Sequence, residues 1–516
     1  MSAPGALPTT AQDGDLLHRL ATYRRTREEV ERRVLPLATS VDGVTFEFQC
    51  SLHDLQLRRG GYVVLQSDGV DRLGQVTDLD AVVVSSSAQL GDVVSDIALR
   101  LARGSGALLA TDGRPFHDAV VRPADPAEVA DWCATSRPAR AGLTVGELLL
   151  APGVPATLDS GGLTRHTFLC GQSGSGKTYA LGLLLERVLA ETTLRVVVLD
   201  PNSDHVGLGR VRPGADPALA ERYAGVPAEV AVWRNDLGAQ HQLRLRFPDL
   251  DPAAQAAVLG LDPVGDRDEY SALLELLRRR REGEPLVTGV EDLRSSDNEG
   301  ARRLGVRAEN LGVLGWSLWG PGLPSIVDEI RHPTSRCTVV DLGSLDSAQE
   351  QRVVSQAVLT ALWEERRSKV PCLVVIDEAH NVCPAEPRDE LSRRATERSV
   401  QIAAEGRKYG LYLLTSTQQP HKVHENVVSQ CDNVLLMRIN SRADLADLTR
   451  LFSFVPEGLI AGCPSFGLGQ VLVGGRLLPQ AAYVRMGHRV SMEGGADIPP
   501  TWAAPRPDDR SGVATR

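Results

Sequence analysis

One stretch, Gly171-Gln172-Ser173-Gly174-Ser175-Gly176-Lys177-Thr178, constrains the fold of this chain more than any other. It follows the P-loop spacing, a glycine, four residues, then Gly-Lys-Thr. It sits between the apolar run Thr167-Phe168-Leu169-Cys170 and a helical pattern carrying Ala180, Leu181, Leu184, Leu185 and Val188. The order strand, loop, helix turns successive backbone N–H groups around a phosphate, with the positive end of the helix dipole behind them. Lys177 then reaches the β- and γ-phosphates and Thr178 ligates Mg²⁺. The stretch therefore predicts a nucleoside triphosphate site built from Gly171, Gln172, Ser173, Gly174, Ser175, Gly176, Lys177 and Thr178. The competing reading, a surface glycine loop before an ordinary helix, does not account for both flanks.

A second stretch, Cys372-Leu373-Val374-Val375-Ile376-Asp377-Glu378-Ala379-His380, is an apolar strand ending in two acids, a Walker B pattern. Asp377 is expected to hold Mg²⁺ through water or through Thr178, and Glu378 to orient and deprotonate the attacking water. Further on, Gly406-Arg407-Lys408-Tyr409-Gly410 feeds the strand Leu411–Ser416, which ends in Thr417-Gln418-Gln419-Pro420. In P-loop machines a polar residue at such a strand end senses the γ-phosphate, and an arginine from a neighbouring subunit stabilises the transferring phosphoryl. Gln418 suits the first role and Arg407 the second; a turn-capping amide and a helix-end cation are the plainer alternatives. The run Leu194–Leu199 ends in Asp200, which places Asp200 and Asp204 at the carboxyl end of a strand, either as ligand groups or as helix caps.

The fold class expected from these elements is α/β, a RecA-like P-loop core preceded by a small β-barrel. Residues 1–40 read as a leader and a charged helix, a solvated arm more than an interface. Residues 41–123 alternate with period two in short runs such as Val44–Phe48 and Tyr62–Gln66, giving a barrel of about five or six strands for assembly. Within it Asp54, His53 and His117 stand isolated. Residues 124–142 read as a Pro-bearing linker and 143–490 as the core, with a helical insertion at about 207–336 and a disordered tail at 491–516. In the insertion Arg278–Arg281 is a basic helix end, a solvated cluster before it is a nucleic-acid contact.

The formal net charge of −10 means that any nucleic-acid contact must come from a local basic surface and not from the field of the whole molecule. Eight scattered cysteines without a CxxC pair predict reduced core thiols and a cytoplasmic location. The N-terminus lacks a signal-peptide pattern and no run approaches a membrane span, so no membrane association is expected.

Taken together, the P-loop, Asp200-Pro201, Ile376-Asp377-Glu378-Ala379-His380-Asn381, Gly406-Arg407-Lys408-Tyr409-Gly410, Gln418-Gln419-Pro420 and a glycine-bearing C-terminal hairpin resemble a HerA-type ATPase of the HerA/FtsK translocases. The resemblance spans most of the chain. It implies a homo-hexameric ring that hydrolyses ATP with Mg²⁺ and moves along double-stranded DNA, with a NurA-like nuclease or a defence effector as partner. It assigns Lys177 and Thr178 to nucleotide and metal, Glu378 to water activation, Arg407 to the trans finger and Gln418 to sensing. Where the family commonly has Asp-Pro-His-Gly-Glu this chain has Asp200-Pro201-Asn202-Ser203-Asp204, and where it has Gln-Arg-Pro this chain has Gln418-Gln419-Pro420. Two rival readings are a conjugation or secretion ATPase related to VirB4 and TraG, and a ring scaffold that ATP switches.

Overall fold

The computed structural model describes residues 11–53, 56–90, 93–110, 113–136, 140–281, 293–320 and 323–495. The expectations for the leader at 1–10, for Asp54 and for residues 496–516 lie outside them.

Six strands, β1 (Leu37–Ser40), β2 (Thr45–Ser51), β3 (Tyr62–Ser67), β4 (Val70–Leu90), β5 (Val93–Leu108) and β6 (Phe116–Pro123), close into a barrel in the order β1-β2-β5-β4-β3-β6. The period of two puts Phe46, Phe48 and Cys50 of β2 inside, against Leu65, Val76 and Val121. β4 and β5 run on past the barrel as a two-stranded arm, paired from Gly74↔Leu108 to Leu90↔Val93. The polar Ser85-Ser86-Ser87 hides this arm from a reading by hydrophobic alternation. Helix α1 (Ala11–Arg32) is docked on the arm: Tyr23, Val30 and Val34 pack with Leu99 and Leu101, and buried Glu31 accepts a 2.8 Å hydrogen bond from the Arg100 N–H. It is not a free solvated arm.

The segment read as a linker contains helix α2 (Pro126–Thr135), which starts with Pro126 in its first turn and with Glu128 accepting from the Asp125 N–H at 2.8 Å. Twelve further strands form one sheet: β7 (Gly142–Leu148), β8 (Pro155–Asp159), β9 (His166–Cys170), β10 (Arg195–Asp200), β11 (Val230–Arg234), β12 (His241–Gln242), β13 (Cys337–Asp341), β14 (Cys372–Ile376), β15 (Leu411–Thr417), β16 (Cys431–Leu436), β17 (Gln470–Gly475) and β18 (Ala482–Met486). Their order is β12-β11-β13-β10-β14-β15-β9-β16-β17-β18-β7-β8. Neighbours from β12 to β16 are parallel and the rest antiparallel.

The parallel strands are covered on both faces, which is why they read as continuous apolar runs. Val196, Val198, Leu373 and Val375 join the core under helix α3 (Lys177–Glu191), while Val197, Leu199, Val374 and Ile376 face the helices Ala348–Glu364 and Glu390–Glu405. The stretch 207–336 is more than a helical insertion, since β11 and β12 extend the sheet at one edge and β11 pairs with β13. Their shortness and helical flanks conceal them.

The barrel is tied to the core at a buried point, where Gln75 Nε2 donates to the Ala481 carbonyl at 3.0 Å. At the other end of the chain, residues 487–495 strap across α3. Fully buried Arg489 pairs with Glu186 at 3.2 Å, and Glu186 also accepts from the N–H groups of Val490 and Ser491. Residues 491–495, expected as the start of a disordered tail, are instead held to the core: Ser491 is buried, and the N–H groups of Met492 and Gly494 donate to the Arg210 (2.8 Å) and Asp204 (3.0 Å) carbonyls. Among the described residues no helix is long and apolar enough to cross a membrane.

Candidate nucleotide site

Strand β15 lies between β9 and β14, so the P-loop after β9 and the acids after β14 flank the end of β15. This order brings three separate sequence motifs together at the carboxyl ends of adjacent strands. Gly174 (φ +71°) and Gly176 (φ +93°) take left-handed backbone that favours glycine, and Gly176 is the residue that caps α3. The loop is anchored from β16, because Gln172 N donates to the Arg438 carbonyl at 3.0 Å and Arg438 Nη2 to the Gly174 carbonyl at 3.1 Å.

Lys177 is buried, with its Nζ 2.8 Å from Asp377 Oδ1, 3.0 Å from Glu378 Oε1 and 3.1 Å from Ser416 Oγ. Burial alone would lower its pKa, but Asp377 and Glu378 outweigh that and hold the ammonium above the usual lysine range. Asp377 is correspondingly held far below the usual carboxylate range: burial acts to raise it, and the His205 hydrogen bond and the Lys177 charge overcome that. Glu378 has left-handed backbone at φ +41°, a conformation that non-glycine residues adopt at a cost and that recurs at functional sites. Its carboxylate meets Gln418 Nε2 at 2.8 Å and His380 Nδ1 at 3.3 Å, as well as Lys177.

The structure therefore brings together Lys177, Asp377, Glu378 and Gln418. Thr178 does not touch Asp377; its hydroxyl donates to Asp204 Oδ2 at 3.4 Å. Burial, with Asp200 and Asp377 nearby, pushes the Asp204 carboxyl up to about 6. Asp200 caps a turn, accepting from the N–H groups of Asp204 (3.0 Å) and His205 (2.8 Å). Arg407 lies elsewhere. It precedes β15 at the amino end of that strand, about 20 Å from Gln418 for a seven-residue strand, and pairs with Asp432 at 2.6 Å.

Sequence reasoning missed Ser416, His380 and His205. Ser416 is two residues before Gln418 on the same strand end and could have been found from that spacing. His205 is fully buried, 3.4 Å from Asp377 through Nε2, and nothing in its neighbourhood in the sequence marks it. In the helical segment Arg278 and Arg279 turn back to Glu275 at 2.8 and 2.9 Å, as a solvated helix end does, while the side chains of Arg280 and Arg281 lie outside the described residues.

The residues present suit a nucleoside triphosphate with a divalent cation. Ser175, inside the loop, keeps a buried hydroxyl with no partner, and a buried cation stands at the foot of the loop. Among the described residues no group of three or more His, Cys, Asp or Glu side chains could hold a metal unaided. That agrees with Mg²⁺ chemistry, in which one or two protein groups act together with phosphate oxygens.

Residues 143–362 match the family described as Helicase HerA, central domain. The chain is 24% identical over 487 residues to the DNA double-strand break repair helicase HerA of Saccharolobus solfataricus, covering 84% of this chain and 89% of that protein. It is likewise 24% identical over 405 residues to the protein of the same name from Pyrococcus furiosus, covering 67% and 69%. Among solved structures, VirB4 of Thermoanaerobacter pseudethanolicus aligns with a TM-score of 0.47 at 17% identity, over 68% of this chain and 98% of that one, too distant a likeness to carry an argument. The P-loop lies within the matched residues 143–362, the Asp-Glu strand end and Gln418 follow them in the chain, and the chain is an ATPase that carries a HerA central domain and is similar to the HerA helicases.

Proposed function

We propose that the chain is one subunit of a homo-hexameric motor that couples ATP hydrolysis to movement along double-stranded DNA, in the cytoplasm, with a nuclease or other effector, in DNA end processing or antiviral defence. The observation that carries this reading is the split of the site. Lys177, Glu378 and Gln418 meet at the carboxyl ends of the central strands, whereas Arg407 sits at the amino end of β15, out of reach of this chain's own P-loop, which supports a role for it at a neighbour's nucleotide. The relatives named as double-strand break repair helicases supply the DNA and the pathway.

Lys177 leaves its two carboxylates to bind the β- and γ-phosphates of ATP, an exchange of one set of anionic partners for another. Thr178 and Asp377 are the residues that would hold Mg²⁺, which supplies charge neutralisation on the phosphate oxygens. Once Lys177 turns to the phosphates, Glu378 keeps Gln418 and His380 as partners and is free to accept the proton of the attacking water. Gln418, bonded to Glu378 through its side chain, links the γ-phosphate position to the base. Arg407 of one subunit exchanges Asp432 for the phosphoryl group held by the next. DNA bound through its phosphates in the ring's pore makes binding salt-sensitive and weakly sequence-dependent.

The test is ATP turnover by the purified protein with and without linear double-stranded DNA, alongside its mass in solution and a Lys177→Ala control. The expected result is a ring-sized particle whose turnover rises with DNA and is lost in the control. A ring that binds ATP but ignores DNA overturns the motor in favour of a switched scaffold.

A further inference from the structure

Immediately after β10 the chain makes a turn whose acid, Asp204, faces Thr178 at the start of the P-loop helix. Asp200 fixes the turn through the N–H groups of Asp204 and His205. Ser203 takes left-handed backbone (φ +61°) and donates its hydroxyl to Asp341 Oδ1 at 2.7 Å, and Gly494 N donates to the Asp204 carbonyl at 3.0 Å. Asp204 is thereby pinned from three directions, although its side chain is only half-buried. Its Oδ2 accepts a long hydrogen bond, 3.4 Å, from the Thr178 hydroxyl.

A hydroxyl has one proton and two lone pairs. With the hydroxyl of Thr178 turned towards Asp204 at 3.4 Å, its lone pairs are left for a cation, and a carboxylate behind the hydroxyl raises its basicity as an outer-shell partner does at metal sites. The charge balance points the same way. Asp200, Asp204, Asp377 and Glu378 gather around one lysine and His205, and His205 is committed to Asp377. Independently of the acids, Ser175 Oγ in the loop is buried and has no partner.

We propose that Asp204 is a positioning residue for the divalent cation that accompanies ATP, acting through the Thr178 hydroxyl, and that it sets how tightly the site takes that cation. The proposal rests on the nucleotide-site reading above. It is separable from it, because the loop and Lys177 can bind a nucleotide without the cation whereas Asp204 matters only with it.

The experiment is equilibrium binding of a fluorescent ATP analogue to the full chain, titrated with Mg²⁺ and repeated in EDTA, for the wild type, Asp204→Asn, Asp204→Ala and Asp204→Glu. Asn and Ala are expected to raise the Mg²⁺ concentration for half-maximal effect about tenfold, the scale of an outer-shell loss, while affinity in EDTA is unchanged. Glu, which keeps the carboxylate, should recover most of the shift. Either neutral variant suffices if the other does not fold. Mg²⁺ curves that overlay the wild type, or equal losses with and without Mg²⁺, overturn the role of Asp204. Failure of the wild type to bind in any condition overturns the nucleotide site itself.

Discussion

Lys177 is held by anions before any phosphate arrives, and that arrangement separates its structural role from its chemical one. Lys177→Ala leaves Asp377 and Glu378 buried without their cation and should cost about 3–5 kcal/mol of stability, read by denaturant unfolding without nucleotide. An unfolding curve matching the wild type would show that the two carboxylates are not charged in the free protein. Glu378→Gln keeps the shape and the Gln418 contact. It should retain ATP binding while turnover falls by about a hundredfold or more, and an unreduced rate would remove Glu378 as the base. The sequence displays these residues because a P-loop and an acidic strand end are short contiguous patterns with one geometry. His205, Arg489 and Glu186 were not legible: a lone charged residue looks the same whether it faces water or a partner some 300 positions away in the chain.

At the level of elements, β9 is secured to β15 by His166, fully buried, whose Nδ1 accepts from the Leu413 N–H at 2.8 Å. Burial, with help from Arg407, lowers its pKa to about 4, so the folded chain keeps it neutral where the unfolded chain, near 6.5, already takes a proton. The stability this contributes is complete above pH 6.5 and lost as the pH falls towards 4, about 3 kcal/mol in all. His166→Gln should flatten that part of the stability profile relative to the wild type, and profiles of equal slope would contradict it. The C-terminal strap offers a second test. A Cβ on Gly182 would lie 2.3 Å from Arg489 Cζ, so Gly182→Ala should break the Arg489–Glu186 pair and cost about 3 kcal/mol in a chemical melt. A neutral effect would mean that Arg489 swings aside.

Strands buried on both faces were readable as apolar runs, and the barrel as alternation in Thr45–Ser51. β11, β12 and the β4–β5 arm were not, because each depends on a partner strand distant in sequence or on polar residues that pair through backbone alone. Likewise the connector before β7 looked like a loop for its proline and charges, which are the signals of a capped helix start.

For the whole molecule, the decisive fact is that one chain holds its P-loop, Glu378 and Gln418 at the carboxyl ends of the central strands and Arg407 at the amino end of β15. On the proposed reading such a chain would complete a site only with a neighbour, which would tie hydrolysis to assembly. Its net charge of −10 confines DNA contact to local basic surface. The most direct measurement of this account is subunit mixing with Lys177→Ala, which keeps Arg407, and Arg407→Ala, which keeps the P-loop. Each alone should be inactive, and their mixture should regain a fraction of wild-type ATP turnover at interfaces that pair the two intact halves. An Arg407→Ala protein with full activity, or a mixture that assembles and stays inactive, would contradict a site shared between subunits.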